Sequence, residues 1–245
     1  MLNVSVSYLV DADAGIVKLL NTSAIVEVNF SSGGTDYIHR TVCNRQADIN
    51  STRANYTCSV YIWYYEAPGT WIVNANITDE NGNYAKNDGT FTLQDTTAIM
   101  FAPQSLTWST IAAGTKNQTS NNDPIKLNNT GNHNSAAAAV RVTALNLIGI
   151  TTPGSYIPAA NFSSFNTTGA GNPECGNSGP TVLVNNTVTG LAGLYLQRGD
   201  NSLQNLNGIG SQALYFCLYD VPLAAALPSQ TYSTNGSGSW TISVI

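Results

Sequence analysis

Residues 65–83 read YEAPGTWIVNANITDENGN and contain one strand pattern between two turn signals. Pro68-Gly69 is a turn dipeptide, because proline fixes its own φ and glycine accepts the positive φ that a tight turn requires. Trp71-Ile72-Val73 opens the strand pattern, and apolar and polar side chains then alternate from residue 73 to residue 77, which indicates a strand with one buried face. Asn81-Gly82 supplies the next turn. The stretch therefore predicts one arm of a β-hairpin, and residues 90–93 provide the strand that closes the unit.

The same two-residue alternation recurs along almost the whole chain, and long helical periodicity is nearly absent. Residues 56–65 carry large side chains on both faces, which is typical of a central strand. The other predicted strands are 4–8, 24–30, 106–111, 125–127, 140–147, Leu183, 194–196, 213–218 and 240–244. Short strands separated by turns about every 8–12 residues indicate sandwiches. We expect an all-β protein built from two tandem Ig-like β-sandwich domains.

A polar run at residues 94–97 is the expected boundary between the domains. The first domain is then 1–97, an Ig-like sandwich with a candidate donor strand at 1–10. The second domain is 98–245, a larger sandwich with long polar loops.

Four cysteines fall as two pairs, one pair in each expected domain. Four cysteines allow three connectivities. Pairing within each domain, Cys43 with Cys58 and Cys175 with Cys217, is the simplest arrangement if the halves fold separately. Because no CxxC motif or histidine cluster indicates a metal site, we expect two disulfides and an oxidising compartment. The alternative is four buried thiols.

The chain carries twelve Asn-x-Ser/Thr sequons, whereas its Asn, Ser and Thr content alone predicts roughly six. They lie at Asn3, Asn21, Asn29, Asn50, Asn55, Asn76, Asn117, Asn128, Asn161, Asn166, Asn185 and Asn235. The excess favours an exported, N-glycosylated coat or filament protein; the alternative is an Asn- and Thr-rich chain with accidental sequons. We expect sequons on turns or polar strand faces, such as Asn50, Asn117, Asn166 and Asn235, to be modified more often than Asn3 or Asn29.

Charged residues make up only 9% of the chain, against about 25% in ordinary soluble domains. The net charge of −5 offers no electrostatic footprint for nucleic acid or for acidic membranes. No apolar run approaches the roughly 18 residues that a membrane span needs. We therefore expect an extracellular cell-surface protein that has no nucleic-acid partner and no membrane span.

The first residues carry no signal-peptide pattern and no lipidation motif. Because an exported protein needs a leader, we expect either that Met1 begins a processed or trimmed chain or that the export route is unfamiliar. The missing apolar N-terminal helix also argues against a type IV pilin.

Residues 65–73 and 77–83 resemble the late hairpin of PKD-like and other bacterial or archaeal Ig-like surface domains. The shared pattern is Tyr-x-x-Pro-Gly-Thr-aromatic-x-Val, followed by Thr-Asp-x-x-Gly-Asn. The resemblance implies an Ig-like fold in which Trp71 and Val73 face the core, and it implies no catalytic residue. More loosely, the second half is similar in texture to archaeal surface proteins, through residues 106–108, 129–132 and 214–218.

Catalytic constellations are almost absent from the sequence. Residues 175–180, CGNSGP, resemble the nucleophile loop of chymotrypsin-like proteases but lack the Asp before the Ser and the second Gly. A serine nucleophile also needs a positioned base, and neither His39 nor His133 lies in a matching motif. We expect a structural loop beside a disulfide, two solvated loop histidines and no enzymatic activity.

Two acidic pairs, Asp11 with Asp13 and Asp79 with Glu80, provide oxygen ligands for weak calcium binding. No Asp-x-Asp-x-Asp-Gly loop accompanies them, so plain turns are the favoured interpretation. No cofactor other than N-linked glycans is expected.

Two kinds of function fit these features. The first is a non-enzymatic structural subunit of a surface filament, sheath or S-layer that assembles with itself. The second is an adhesin or carbohydrate-binding module, in which Tyr61, Trp63, Tyr65 and Trp71 stack on sugar rings; packing in a core or an interface is the favoured role of these aromatics.

The N-terminal segment is the candidate assembly strand. Leu2, Val4, Val6 and Tyr8 alternate on one side of a β-rich stretch, which predicts that it fills an open sheet edge in the next subunit. The alternative is that residues 2–10 form the first strand of their own sandwich.

Overall fold

The computed structural model describes residues 2–9, 19–30, 38–50, 53–136, 138–166, 181–191, 193–194, 196–198 and 210–245. Within these ranges the protein is all-β, as expected, with several sheets, no α-helix and two 3-10 segments at Asn21–Ser23 and Ala159–Asn161. The chain divides into two compact units, Met1–Thr96 and Thr97–Ile245. This division lies one residue from the boundary expected from the polar run.

Unit 1 (Met1–Thr96) has seven strands in its described part. They are β1 (Leu2–Leu9), β2 (Ile25–Phe30), β3 (Ile38–Val42), β4 (Asn44–Asn50), β5 (Arg53–Val60), β6 (Gly69–Thr78) and β7 (Tyr84–Leu93). One sheet has the order β1-β5-β4 and the other the order β3-β2-β6-β7, with antiparallel pairing throughout.

Alternate residues of both sheets meet in one core. Val26 and Val28 of β2 are buried together with Tyr56 and Val60 of β5. Successive side chains on a strand point to opposite faces, so each of these strands contributes every second residue to the core. The two sheets therefore pack on a shared apolar layer, the arrangement of a β-sandwich.

Trp71 anchors this core from β6. Its side chain is 0% exposed, and its ring lies 5.4 Å from the ring of Phe30 and 6.3 Å from that of Phe91. The indole N–H donates to the Ala67 carbonyl at 2.9 Å, which satisfies the polar atom of a buried indole. Gly69 has φ +126°, so the turn that leads into β6 uses the conformation expected of glycine.

A disulfide joins Cys43 and Cys58. Asn44 pairs with Thr57 on the neighbouring strand, so the antiparallel register brings Cys43 opposite Cys58. Their Cα atoms are 4.2 Å apart, which is typical of directly opposed residues in antiparallel strands. The pairing predicted for the first domain is therefore present, and both cysteines lie in the core.

Unit 2 (Thr97–Ile245) has twelve strands in its described part. They are β8 (Ile99–Ala102), β9 (Lys116–Thr119), β10 (Ile125–Asn129), β11 (Val140–Ala144), β12 (Leu147–Gly149), β13 (Tyr156–Ile157), β14 (Phe162–Asn166), β15 (Thr181–Val182), β16 (Thr187–Gly190), β17 (Ser211–Asp220), β18 (Tyr232–Ser233) and β19 (Thr241–Val244). The largest sheet has the order β15-β14-β17-β10-β8, and β9 also pairs with β17. The two smaller sheets have the orders β16-β11-β19 and β13-β12-β18.

Aromatic side chains fill the centre of unit 2. Phe162 of β14 lies 5.3 Å, between ring centroids, from both Trp108 and Trp240. Phe216 of β17 lies 5.8 Å from Trp240, and Leu127 of β10 is buried in the same cluster. Edge-to-face contacts of this kind add to the stabilisation that apolar burial provides.

Three strand predictions are wrong. Strand β5 ends at Val60, before the predicted end at residue 65, because the Glu66 N–H bonds the Trp63 carbonyl in a turn. Residues 106–111 form no strand, since the Thr107 N–H donates to the Asn122 side chain at 3.0 Å. Leu196 lies outside any strand, and its N–H donates to the Ser135 hydroxyl at 2.6 Å. In each case a local turn or a side chain replaces a strand partner.

Candidate assembly surface

Strand β1 pairs with β5 of the same chain. The antiparallel register runs from Leu2 opposite Val60 to Leu9 opposite Arg53, and β1 is an edge of its sheet. The candidate assembly residues Leu2, Val4, Val6 and Tyr8 are therefore on an edge strand of their own unit, and their side chains lie outside the described part of the chain. This is the alternative that the sequence left open, an N-terminal strand that covers an edge of its own sandwich.

Strand β7 is the edge of the other sheet in unit 1. Every residue from 84 to 90 is exposed, and Tyr84 is 72% exposed. Lys86 and Asp88 project from this segment without an ion pair among the described residues. The Asp88 N–H donates to the Asn87 Oδ1 atom at 3.0 Å. A side chain of the same strand therefore accepts from the backbone at this position.

The turn before β7 is built on Asp79. Its Oδ1 atom accepts the Asn81 and Asn83 N–H groups, both at 2.9 Å, and its Oδ2 atom accepts the Asn83 side-chain amide at 3.0 Å. The Asn83 side-chain hydrogen bond, with smaller contributions from backbone N–H groups, lowers the pKa of Asp79 from its ordinary value. Gly82 has φ +82°, as the Asn-Gly signal predicts.

The calcium hypothesis finds little support in this turn. Both carboxylate oxygens of Asp79 accept protein donors, and the described residues hold no cluster of three or more metal-ligating side chains. Asp11 and Asp13 lie outside the described ranges.

His39 is not the solvated loop residue that the sequence predicted. It lies on β3, where its Nε2 atom is 3.0 Å from the Oε1 atom of Glu66, whose side chain is only 2% exposed. The imidazole also lies 5.9 Å from the Trp71 ring. The prediction failed because the turn at residues 63–66 brings a carboxylate to the end of the sheet. His133 is half-buried in a bend, and its carbonyl accepts the Asn129 side-chain amide at 2.7 Å.

The four candidate sugar-stacking aromatics divide between core and surface. Trp71 and Tyr65 are buried, which excludes them from a binding platform. Tyr61 is 49% exposed, and its ring meets the half-buried Trp63 ring edge-on at 4.3 Å. Trp63 in turn stacks on Tyr65 at 5.7 Å. The aromatic side chains of this segment that stay accessible are those of Tyr61, Trp63 and the half-exposed Tyr64, and we call these three residues the aromatic ledge.

The second pair of cysteines is only partly described. Cys217 is buried on β17 and is disulfide-bonded. Cys175, the one cysteine left after Cys43 and Cys58 have paired, lies outside the described residues, as does the whole protease-like loop at 175–180. Among described residues no cysteine is free.

The sequons differ in how accessible their side chains are. Asn117, Asn185 and Asn235 are exposed. The Nδ2 atom, which carries the glycan in N-glycosylation, is engaged in Asn29 with Glu27 Oε1 at 3.0 Å and in Asn161 with the Asp220 carbonyl at 2.8 Å. Asn55, Asn76 and Asn128 are half-buried, and the side chains of Asn3, Asn21, Asn50 and Asn166 lie outside the described set. Glycan occupancy stays a prediction.

Unit 2 contains a cavity of about 320 Å³ beside its aromatic cluster. Trp108, Phe216 and Trp240 line it with Ser105 and Thr234, and none of the described lining residues has a titratable side chain. General acid–base chemistry needs a titratable group within reach of the reacting atom, and this wall supplies none.

Comparison of the chain with family models, curated proteins and solved structures finds no match. No helix in the described ranges is long and apolar enough to cross a membrane.

Sequence reasoning missed the first half of β7. Residues 84–90 include Lys, Asn, Asp and Gly, which are depleted in strands, so only 90–93 were predicted. A signal was nevertheless present. A tight turn at 79–83 fixes the register of the hairpin, and the partner of 69–78 must then begin at residue 84.

Proposed function

We propose that this chain is a non-enzymatic structural subunit of an extracellular assembly, such as a surface filament, sheath or S-layer. Its copies associate through β-strand and sheet-edge contacts, and they carry N-linked glycans. Both units have the Ig-like architecture in this proposal, with unit 1 PKD-like. The observation that carries the proposal is the position of β1, an N-terminal strand that pairs along the edge of β5.

Strand donation follows from this position by simple physical steps. Because β1 is an edge strand that pairs with β5 alone, its exchange leaves the pairing of β5 with β4 intact. Every copy then presents the same β5 edge, and β1 of a neighbouring copy fits it in the same antiparallel register. Exchange of an identical element is a low-cost route to association, and main-chain hydrogen bonds supply affinity. Each copy gives one strand and receives one, so the contact propagates as an open chain unless its geometry closes a ring.

Other features support an extracellular coat protein. The Cys43–Cys58 disulfide fits an oxidising compartment. Asn117, Asn185 and Asn235 present accessible sequon side chains. The low charge content fits a surface that glycans, amides and hydroxyls keep hydrated.

A glycan-binding module is the second candidate, and the aromatic ledge of Tyr61, Trp63 and Tyr64 favours it. Exposed aromatic rings stack on sugar faces, but the burial of Tyr65 and Trp71 removes half of the platform that the sequence suggested. A monomeric chain that binds a glycan array through this ledge, and that loses binding on Tyr61→Ala, would favour this candidate over assembly.

Electron microscopy of the purified full chain and of a chain lacking residues 1–10 tests the structural proposal. The full chain is expected to form fibres or lattices. The truncated chain should stay folded, fail to polymerise and bind a synthetic peptide of residues 2–10. A peptide with Val4→Asp and Val6→Asp is the matched control and should not bind. If the full chain stays monomeric, or if the deletion unfolds unit 1, strand donation by β1 is wrong.

A further inference from the structure

Seven consecutive exposed residues of β7, Tyr84–Thr90, form an unpaired sheet edge in the described structure. Natural sheets usually protect such edges, because a row of free N–H and C=O groups is a template for another strand. The midpoint of the segment is Asn87, and the charged residues Lys86 and Asp88 lie on either side of that midpoint. The segment is therefore charge-complementary to its own reversed copy.

We propose that β7 is a self-pairing edge, at which the β7 strands of two copies of this chain join antiparallel about a twofold axis at Asn87. An isologous contact of this kind places each residue opposite a partner on the second copy. Lys86 then faces Asp88 of the other copy, and Asp88 faces its Lys86. Tyr84 faces Thr90, which is an aromatic and β-branched pair of the kind that stabilises sheets.

Charge selects this register among the twofold alternatives. A shift of the axis to residue 86 places Lys86 opposite its own copy, and a shift to residue 88 places Asp88 opposite its own copy. Like charges directly opposite each other destabilise a pair of strands. With the axis at residue 85 or residue 89, neither Lys86 nor Asp88 faces an oppositely charged residue of the second copy. Only the axis at Asn87 makes two complementary pairs.

The backbone and the small residues are compatible with the contact. The Asp88 N–H donates to the Asn87 side chain of its own strand, and the Lys86 carbonyl of the second copy replaces that acceptor. On the opposite face, Ala85 meets Gly89, and a Cβ added at Gly89 would touch nothing within 4 Å. Lys86 therefore discourages pairing with other strands but attracts Asp88 of a second copy of this chain, which makes the contact specific. The contact does not depend on strand donation by β1.

Cysteine cross-linking of the full chain tests both the contact and its register. Described cysteines are all disulfide-bonded, so a new thiol reports on its own position. Asn87→Cys places two thiols directly opposite each other and is expected to give a covalent dimer under mild oxidation. Ala85→Cys is the matched control, because its two copies lie four positions apart along the strands and should not cross-link. Ala85→Cys combined with Gly89→Cys should restore the covalent dimer.

Charge variants in the Asn87→Cys background sharpen the result. Lys86→Asp alone or Asp88→Lys alone should weaken the association constant by about tenfold, because two attractive pairs become two repulsive pairs. The cross-linked fraction should fall accordingly. The two changes together should restore it. Equal cross-linking of Asn87→Cys and Ala85→Cys, or none from either, would overturn the proposal. Fibres that form without this cross-link would contradict the β7 contact and leave strand donation standing. A cross-linked dimer that forms no fibres would contradict strand donation and support the β7 contact.

Discussion

Units 1 and 2 are both all-β in their described parts but manage their polar groups differently. Unit 1 holds ten of the fourteen carboxylates, and buries Glu66 against His39 beside a disulfide-linked core. Unit 2 fixes much of its described interior with neutral groups, although the Asp123 carboxylate also accepts the Phe216 N–H. The buried Asn129 amide donates to the His133 and Gln197 carbonyls, at 2.7 and 3.2 Å, and Ser135 holds the Leu196 backbone.

The comparison indicates that loss of the Cys43–Cys58 disulfide should affect unit 1, and that pH should act on the two units through different residues. Charge-based contacts depend on protonation, whereas amide and hydroxyl contacts do not. Both units nevertheless use one solution in common. The Trp71 and Trp240 indoles each donate to a backbone carbonyl, at 2.9 and 2.8 Å, so each core holds a large apolar ring without an unsatisfied polar atom.

The largest expected effect comes from removing the tryptophan of unit 1. Trp71→Ala should lower the free energy of unfolding of unit 1 by about 3–5 kcal/mol, because it leaves a cavity in contact with Phe30 and Phe91. Trp240→Ala should cost unit 2 less, since Trp240 is only half-buried. Denaturant unfolding measures both, with Tyr84→Ala as the control, which should change stability by about 0.5 kcal/mol at most. Equal losses of stability for Trp71→Ala and Tyr84→Ala would contradict the position of Trp71 in the core of unit 1.

Removal of the Cys43–Cys58 disulfide by substitution should give the next largest difference between the units. Cys43→Ser with Cys58→Ser should lower the free energy of unfolding of unit 1 by about 2–4 kcal/mol, because the open chain gains conformational freedom in the unfolded state. The transition of unit 2 should stay where it is. Calorimetry of the full chain measures the two transitions, and an equal shift of both would refute the assignment of this disulfide to unit 1 alone.

Asp123 gives unit 2 its own pH dependence. Burial raises the pKa of Asp123 above its ordinary value, against smaller opposing contributions from Ser120 and the Phe216 N–H. The folded state then binds the proton more tightly than the unfolded state. Stability is therefore greatest in acid and falls as pH rises from the ordinary aspartate pKa through the raised value. Asp123→Asn keeps an acceptor for Phe216 and should stabilise unit 2 at neutral pH, because it removes the cost of burying the charge.

Stability measured from pH 3 to pH 7 checks this prediction. The stabilisation by Asp123→Asn should shrink as pH falls. A gain that is independent of pH would contradict the role of ionisation.

The smallest expected effect concerns Asp79 in unit 1, whose pKa is shifted in the opposite direction from that of Asp123. The lowered pKa of Asp79 means that its ionised form stabilises the turn before β7. This contribution is present above the ordinary aspartate pKa and is lost as pH falls through the lowered value. Asp79→Ala should slightly destabilise unit 1 at neutral pH and have no effect in strong acid. Glu80→Ala, at the adjacent exposed position, is the control, and a matching loss there would contradict the role of the Asp79 turn.

The sequence was informative where one rule acted alone. Alternation predicted β2, most of β6 and the buried face of β5, since every second residue there is apolar. The Pro-Gly and Asn-Gly turns were predicted because glycine is required at positive φ. Predictions failed where tertiary contacts decided the outcome. The Asn122 side chain bonds the backbone of 106–111, and no local pattern brings Glu66 to His39. The β7 edge was missed because hairpin register, rather than propensity, extends it.

Electron cryo-microscopy of the material that the full chain forms tests the central claim most directly. The account predicts an ordered assembly in which β1 of each copy lies against β5 of the next copy, with residues 2–9 opposite 60–53 in the register seen within one chain. A particle that remains a monomer, or an assembly in which every β1 lies on its own β5, would contradict strand donation.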